Sequence, residues 1–145
     1  MDYDGLKFAL KSIATYTVTA RHFEEIEGFL IDMQGYTLLR LAGEGPGMGA
    51  IVEIGSFMGR STCYLATGTK NAQREKVYAI DHFAGSDEHQ QGESREVEAV
   101  VKTGSTYPQF IENIKKFGVE DYVHPIQATS QEAAASWDQP IRLLF

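Results

Sequence analysis

The sequence predicts an α/β fold built on a parallel sheet, and three observations carry that expectation. Short apolar, β-branched runs recur at residues 50–54, 76–80, 122–126 and 141–145. Stretches of helical period separate them. The first three runs each end in a polar residue or a glycine that leads toward a helix, the signature of strand-then-crossover units.

The N-terminal part reads as helical. Leu6, Leu10 and Ile13 fall at i, i+4, i+7, and Phe23, Ile26, Leu30 and Met33 at i, i+3, i+7, i+10, two amphipathic stripes. A short helix is expected over 36–41. The glycine-rich Gly43-Glu44-Gly45-Pro46-Gly47-Met48-Gly49 then breaks the chain. This divides the sequence into a helical segment, 1–49, and an α/β unit, 50–145. The run 50–54 is the first strand of a buried sheet, stopped by Gly55. Residues 60–69 form a helix with Leu65 and Ala66 inward and Gly68 near its end. The second strand, 76–80, stops at Asp81. Polar residues 85–93 read as a surface loop or lid, followed by a short helix near 96–101. Thr106-Tyr107-Pro108-Gln109 has the form of a capping box, with Phe110, Ile114 and Phe117 on the apolar face behind it and Gly118 as the stop. Strand three, 122–126, is expected at an edge because Pro125 lacks a donor. A second capping box, Thr129-Ser130-Gln131-Glu132, opens a helix over 131–137, and 141–145 is the fourth strand.

Composition narrows the function. The 145 residues carry a net charge of −7 with no basic block, which argues against nucleic acid as partner. No apolar run approaches the ~20 residues of a membrane span. Acids follow Met1 where a signal peptide carries bases. The single cysteine, Cys63, makes neither an internal disulfide nor a thiolate zinc site and reads as a small buried hydrophobe. A reduced, cytoplasmic compartment is expected. His82, His89 and His124 with Asp87 fit no standard metal spacing and read as surface histidines. Glu24, Glu25 and Glu27 read as a solvated helix face, and Phe110 and Trp137 as core.

The chemistry lies at the strand ends. In Glu53-Ile54-Gly55-Ser56-Phe57-Met58-Gly59-Arg60-Ser61-Thr62 a buried strand ends in an acid and a glycine, and a second glycine opens a helix. Open α/β sheets bind ligands at this end. Gly55 admits close approach, and the helix start offers unpaired N–H groups. Asp81 can take both hydroxyls of a ribose. With Gln127-Ala128-Thr129-Ser130 at the third strand end, three strand termini would line one crevice for an adenosine-type cofactor. The spacing Gly55-x-x-x-Gly59 departs from the dinucleotide G-x-G-x-x-G, is one residue short of a P-loop and lacks its lysine, and no closing glycine completes a hydrolase elbow.

The remaining pattern, acid-x-Gly-x-x-x-Gly, resembles motif I of the class I S-adenosylmethionine-dependent methyltransferases. Val52–Phe57 followed by Gly59-Arg60-Ser61-Thr62 is similar to the small-molecule O-methyltransferase-like branch, which includes cephalosporin-hydroxylase-like proteins. Ile26-Glu27-Gly28-Phe29-Leu30 resembles that branch's lead-in helix. The resemblance spans roughly residues 26–145 and implies a Rossmann-like methyltransferase fold with strand order 3-2-1-4. Carried over, it implies that Gly55, Ser56 and Gly59 pass the methionine moiety, with Ser61 at the helix start beside them. It implies that Glu53 organises the loop, Asp81 binds ribose, His82 flanks adenine, and Ala128, Thr129 and Ser130 cap it. The implied cofactor is S-adenosyl-L-methionine, leaving S-adenosyl-L-homocysteine, and the implied partner is a small-molecule methyl acceptor.

The family's sheet has about seven strands, and its next segment resembles Asp-Gly-Asp-His, which supplies catalytic or metal-binding groups. The expectation is therefore the cofactor-binding part of a longer enzyme, with catalytic residues unassigned and a divalent metal entering only in a longer form. An exposed fourth strand would pair two copies as a homodimer. Two other readings stand beside this one: a non-catalytic fragment or assembly module with a vestigial nucleotide site, and an NAD-type oxidoreductase.

Overall fold

A computed structural model of the chain describes Ala14 and residues 23–145. The stripe through Leu6, Leu10 and Ile13 lies outside the described residues. Four strands, β1 (Ala50–Ile54), β2 (Val77–Asp81), β3 (Val123–Gln127) and β4 (Ile141–Leu144), form one sheet in the order β3-β2-β1-β4. Every neighbouring pair is parallel. The expected α/β architecture and strand order are both present, with Pro125 on an outer strand opposite Ala79.

Among the described residues five α-helices accompany the sheet: α1 (Asp32–Glu44), α2 (Arg60–Ala72), α3 (Glu98–Thr103), α4 (Tyr107–Lys116) and α5 (Ser130–Ala135). Alternation along the strands divides the core between two faces. Ile51, Val77 and Ala79 join the larger cluster with Phe23, Tyr64, Leu65 and Phe110. Ala50, Val52 and Ile80 turn the other way onto Ala133, with Tyr78, Ile126 and half-buried Trp137 beside them. Cys63 and Phe110 are fully buried, as expected.

Helix α1 lies close against α2 because glycines meet there. A side chain at Gly35 would press on the Tyr64 ring at 2.5 Å, and one at Gly68 would run into the Leu39 carbonyl oxygen. Gly68 therefore stands inside a helix that continues to Ala72, not near its end.

Other local expectations need correction. The stripe Phe23-Ile26-Leu30-Met33 is not one helix. Phe23 and Ile26 are buried, but the chain leaves helical structure by residue 27, and Met33 is 65% exposed on a new helix. The segment resembling a lead-in helix is thus a loop, and its Gly28 carbonyl accepts a hydrogen bond from Arg60 at 3.2 Å. Thr106 forms no capping box; its own side chain is buried, and Ser105 Oγ accepts from the Tyr107 amide instead. The Thr129–Glu132 box does form, although α5 ends at Ala135.

A register shift in β4 lets Ala50 face Ile141 and Ile51 face Leu143, so Arg142 is the extra residue of a bulge. Its side chain is buried. It pairs with Glu75 at 3.1 Å and donates to the carbonyls of Leu41 and Ala42 at the end of α1. Arg74 holds the carbonyls of Gly43, Gly45 and Gly47 just beyond.

Candidate functional site

The site begins with a carboxyl at the end of β1. Glu53 is fully buried on the face toward α2. Ser56 Oγ donates to its Oε2 at 2.7 Å, and Thr62 Oγ1 donates to the same oxygen. Burial pushes this carboxyl above its ordinary range, against the pull of hydrogen bonds from Ser61, Thr62 and Ser56; the negative charge of Asp81 adds to the rise. Glu53 ties the loop to the helix from beneath the crevice and not from its wall.

Gly55 follows at φ +87°, and a Cβ built there meets nothing within 4 Å. Its N–H donates to the Ile80 carbonyl at 2.9 Å, which fixes the strand end in place. The open direction faces the crevice. Gly59 looks equivalent in sequence but is not. At φ +89° it opens α2, and a Cβ there would press on the Phe110 ring at 3.1 Å. Gly59 serves the contact between α2 and α4 and does not line the crevice.

Asp81 holds two loops at once. Its Oδ2 accepts the Phe57 amide at 2.8 Å and its Oδ1 accepts the Phe83 amide at 2.7 Å. Phe57 and Phe83 both have positive φ, +49° and +57°, a conformation that costs a non-glycine residue about 1–2 kcal/mol. The carboxylate thus offsets strain in the turns that follow β1 and β2. Each of its oxygens retains a lone pair for a further donor.

The ends of β1, β2 and β3 enclose two adjoining chambers. The larger, about 410 Å³, is lined by Asp81, His82, Ala128, Thr129 and Ser130. The smaller, about 340 Å³, is lined by Ser56, Arg60 and Ser61. Gly55, Ile54, Phe29 and Phe57 border both. Eight of the ten expected site residues therefore meet in one crevice, and Glu53 and Gly59 stand behind it. His82 Nδ1 accepts the Ala84 amide at 3.0 Å, and Thr129 Oγ1 is engaged with Glu132 as the cap of α5.

Three aromatic wall residues had no part in the expected site. Phe29, Phe57 and His89 come from separate loops and meet with centroids 5.4–5.9 Å apart. His89 is only 7% exposed, which corrects its reading as a surface histidine. Phe57 was legible as part of the glycine loop; no local signal marks His89.

A part-apolar crevice with one carboxylate on its wall, adjoining a second chamber at a helix N-terminus, can hold a nucleoside joined to a charged chain. A family model described as "Methyltransferase domain" matches residues 52–145. Two solved structures share the fold. SAH-bound methyltransferase PaMTH1 from Podospora anserina is 13% identical, with a TM-score of 0.55, over 95% of this chain and 55% of that one. Cofactor-bound Rv0187 from MTB is 18% identical, with a TM-score of 0.52, over 88% of this chain and 48% of that one. The chain spans about half the length of each.

Proposed function

The chain belongs to the methyltransferase-domain family, and from that premise we propose that residues 50–145 bind S-adenosyl-L-methionine for methyl transfer to a small molecule. The observation that carries this reading is the open floor at Gly55, where a Cβ has no neighbour within 4 Å, set beside the Asp81 carboxylate in one crevice. Asp81 would accept the ribose hydroxyls. Ala128 and Ser130 would border the adenine, with His82 opposite. Ser56, Ser61 and the N-terminus of α2 would face the amino-acid portion in the smaller chamber. When bound, such a cofactor supplies an electrophilic methyl group on sulfur for in-line displacement by a nucleophile. The residues here hold and orient; the concave, part-apolar wall suits a small acceptor, and the net charge of −7 disfavours a nucleic acid.

The chain is read as the cofactor-binding part of a longer enzyme because it spans about half of each solved relative. Any general base and any divalent metal would then belong to the longer form. No helix among the described residues is long and apolar enough to cross a membrane.

Calorimetry with S-adenosylmethionine, S-adenosylhomocysteine and NAD tests the reading. The first two should bind and NAD should not. Asp81→Ala should abolish binding, with thermal melting run alongside because Asp81 also holds Phe57 and Phe83. Silence with all three ligands would favour a non-catalytic assembly module, and selective NAD binding an oxidoreductase.

A further inference from the structure

The two chambers meet at a passage bordered, among the described residues, by Phe29, Ile54, Gly55 and Phe57. None of these side chains carries a polar atom. The amides on the β1 side are committed as well. Ile54 N–H donates to the Phe145 carbonyl and Gly55 N–H to the Ile80 carbonyl, both at 2.9 Å, and Phe57 N–H donates to Asp81 Oδ2 at 2.8 Å. An anionic group lodged there would leave water without meeting a donor from these residues. Carbon and sulfur need none.

Phe29 differs from the other three in origin and in exposure. It comes from the loop before α1, and 61% of it is open to solvent. Its ring is nonetheless held. Phe57 lies 5.8 Å away, His89 5.9 Å away and Arg95 Cζ 5.2 Å away, each measured to the Phe29 centroid. The bond from Arg60 to the Gly28 carbonyl ties the same loop to the start of α2. An exposed apolar ring that is already ordered gains by being covered and loses little freedom when it is. Its contact with Arg95 shows that the ring also tolerates a cation.

We propose that Phe29 is a specificity-determining contact residue, whose ring packs on the linking portion of a ligand that fills both chambers and, with Ile54 and Phe57, restricts that portion to carbon or sulfur. This rests on the cofactor reading above and assigns the point at which a nucleotide is turned away. A diphosphate starts at the 5′ carbon of its nucleoside, so its first phosphate would fall in the passage. A thioether or sulfonium link places sulfur and methylene groups there instead.

Calorimetry with S-adenosylhomocysteine, adenosine and adenosine 5′-diphosphate tests the assignment. S-adenosylhomocysteine reaches through the passage, and adenosine stops short of it. Phe29→Ala should weaken S-adenosylhomocysteine about tenfold, the worth of covering part of one aromatic side chain, and should leave adenosine within about twofold. On the unaltered protein the diphosphate should bind no more tightly than adenosine. Equal S-adenosylhomocysteine affinity in wild type and Phe29→Ala would overturn the proposal while leaving the cofactor site standing. A parallel loss of both ligands, the result of a merely structural role in the wall, would overturn it too, as would a diphosphate that binds more tightly than adenosine. Failure of the unaltered protein to bind S-adenosylhomocysteine would overturn both readings.

Discussion

Glu53 carries a carboxyl that folding removes from water entirely, with its folded-state pKa raised by that burial. A group whose folded pKa lies above its unfolded one contributes stability fully below the unfolded pKa and loses it as pH rises through the folded value. Glu53→Gln should therefore flatten the decline in stability as pH increases, measured as urea midpoints from about pH 4 to pH 8. An unchanged slope would mean that another group sets it. Gly55 makes a second expectation at this scale. Gly55→Val places a branched side chain in the crevice and should reduce S-adenosylhomocysteine affinity beyond detection, whereas Gly92→Val, at a similar φ of +81° with open space around it, should share the backbone strain and leave binding intact. Unchanged affinity in Gly55→Val would move the site. Two glycines four residues apart were equally visible in the sequence. What separates them is the Phe110 ring against Gly59, a tertiary contact that spacing does not encode. His89 was illegible for a similar reason, because its burial comes from Phe29 and Phe57, distant in the chain.

At the scale of elements, strands were legible and helix limits were not. The β1 run is buried through four successive residues, Ala50 to Glu53, the first three of them apolar, so its pattern has few alternatives. The lead-in stripe obeyed helical spacing but covered a turn, because residues 27–31 bend to bring the Gly28 carbonyl onto Arg60. At Gly68 the breaker propensity of glycine loses to the need for two helix backbones to approach. Gly68→Ala should cost about 1–3 kcal/mol through overpacking against α1, despite alanine's better helix propensity. Urea unfolding measures it, and a stabilised variant would show that α1 can shift outward without penalty.

For the molecule as a whole, the outer edge of β4 is uncovered among the described residues, with Ile141, Leu144 and Phe145 44%, 60% and 47% exposed. Arg142, the one charged side chain of β4, is turned inward to α1 and guards nothing. Self-association through this edge is expected, most simply as a two-fold dimer, since a net charge of −7 is largely screened at physiological salt. Light scattering at roughly the tens of micromolar typical of weak dimers checks it; a monomer there would show the edge to be self-sufficient.

The inward turn of Arg142 also bears on the order of events in folding. In the last turn of α1 the Gly45 amide caps the Leu41 carbonyl locally, but the side-chain donor to the Ala42 carbonyl, and a second one to Leu41, come from a residue about a hundred positions later. Such a closure has to assemble across almost all the intervening chain before it returns any free energy, which places it among the slow, non-local steps. Refolding should therefore show α2 and β2 protected against hydrogen exchange before the last turn of α1, with that turn gaining protection only as β4 docks. During synthesis the same helix end would wait, open to water, until the fourth strand emerged.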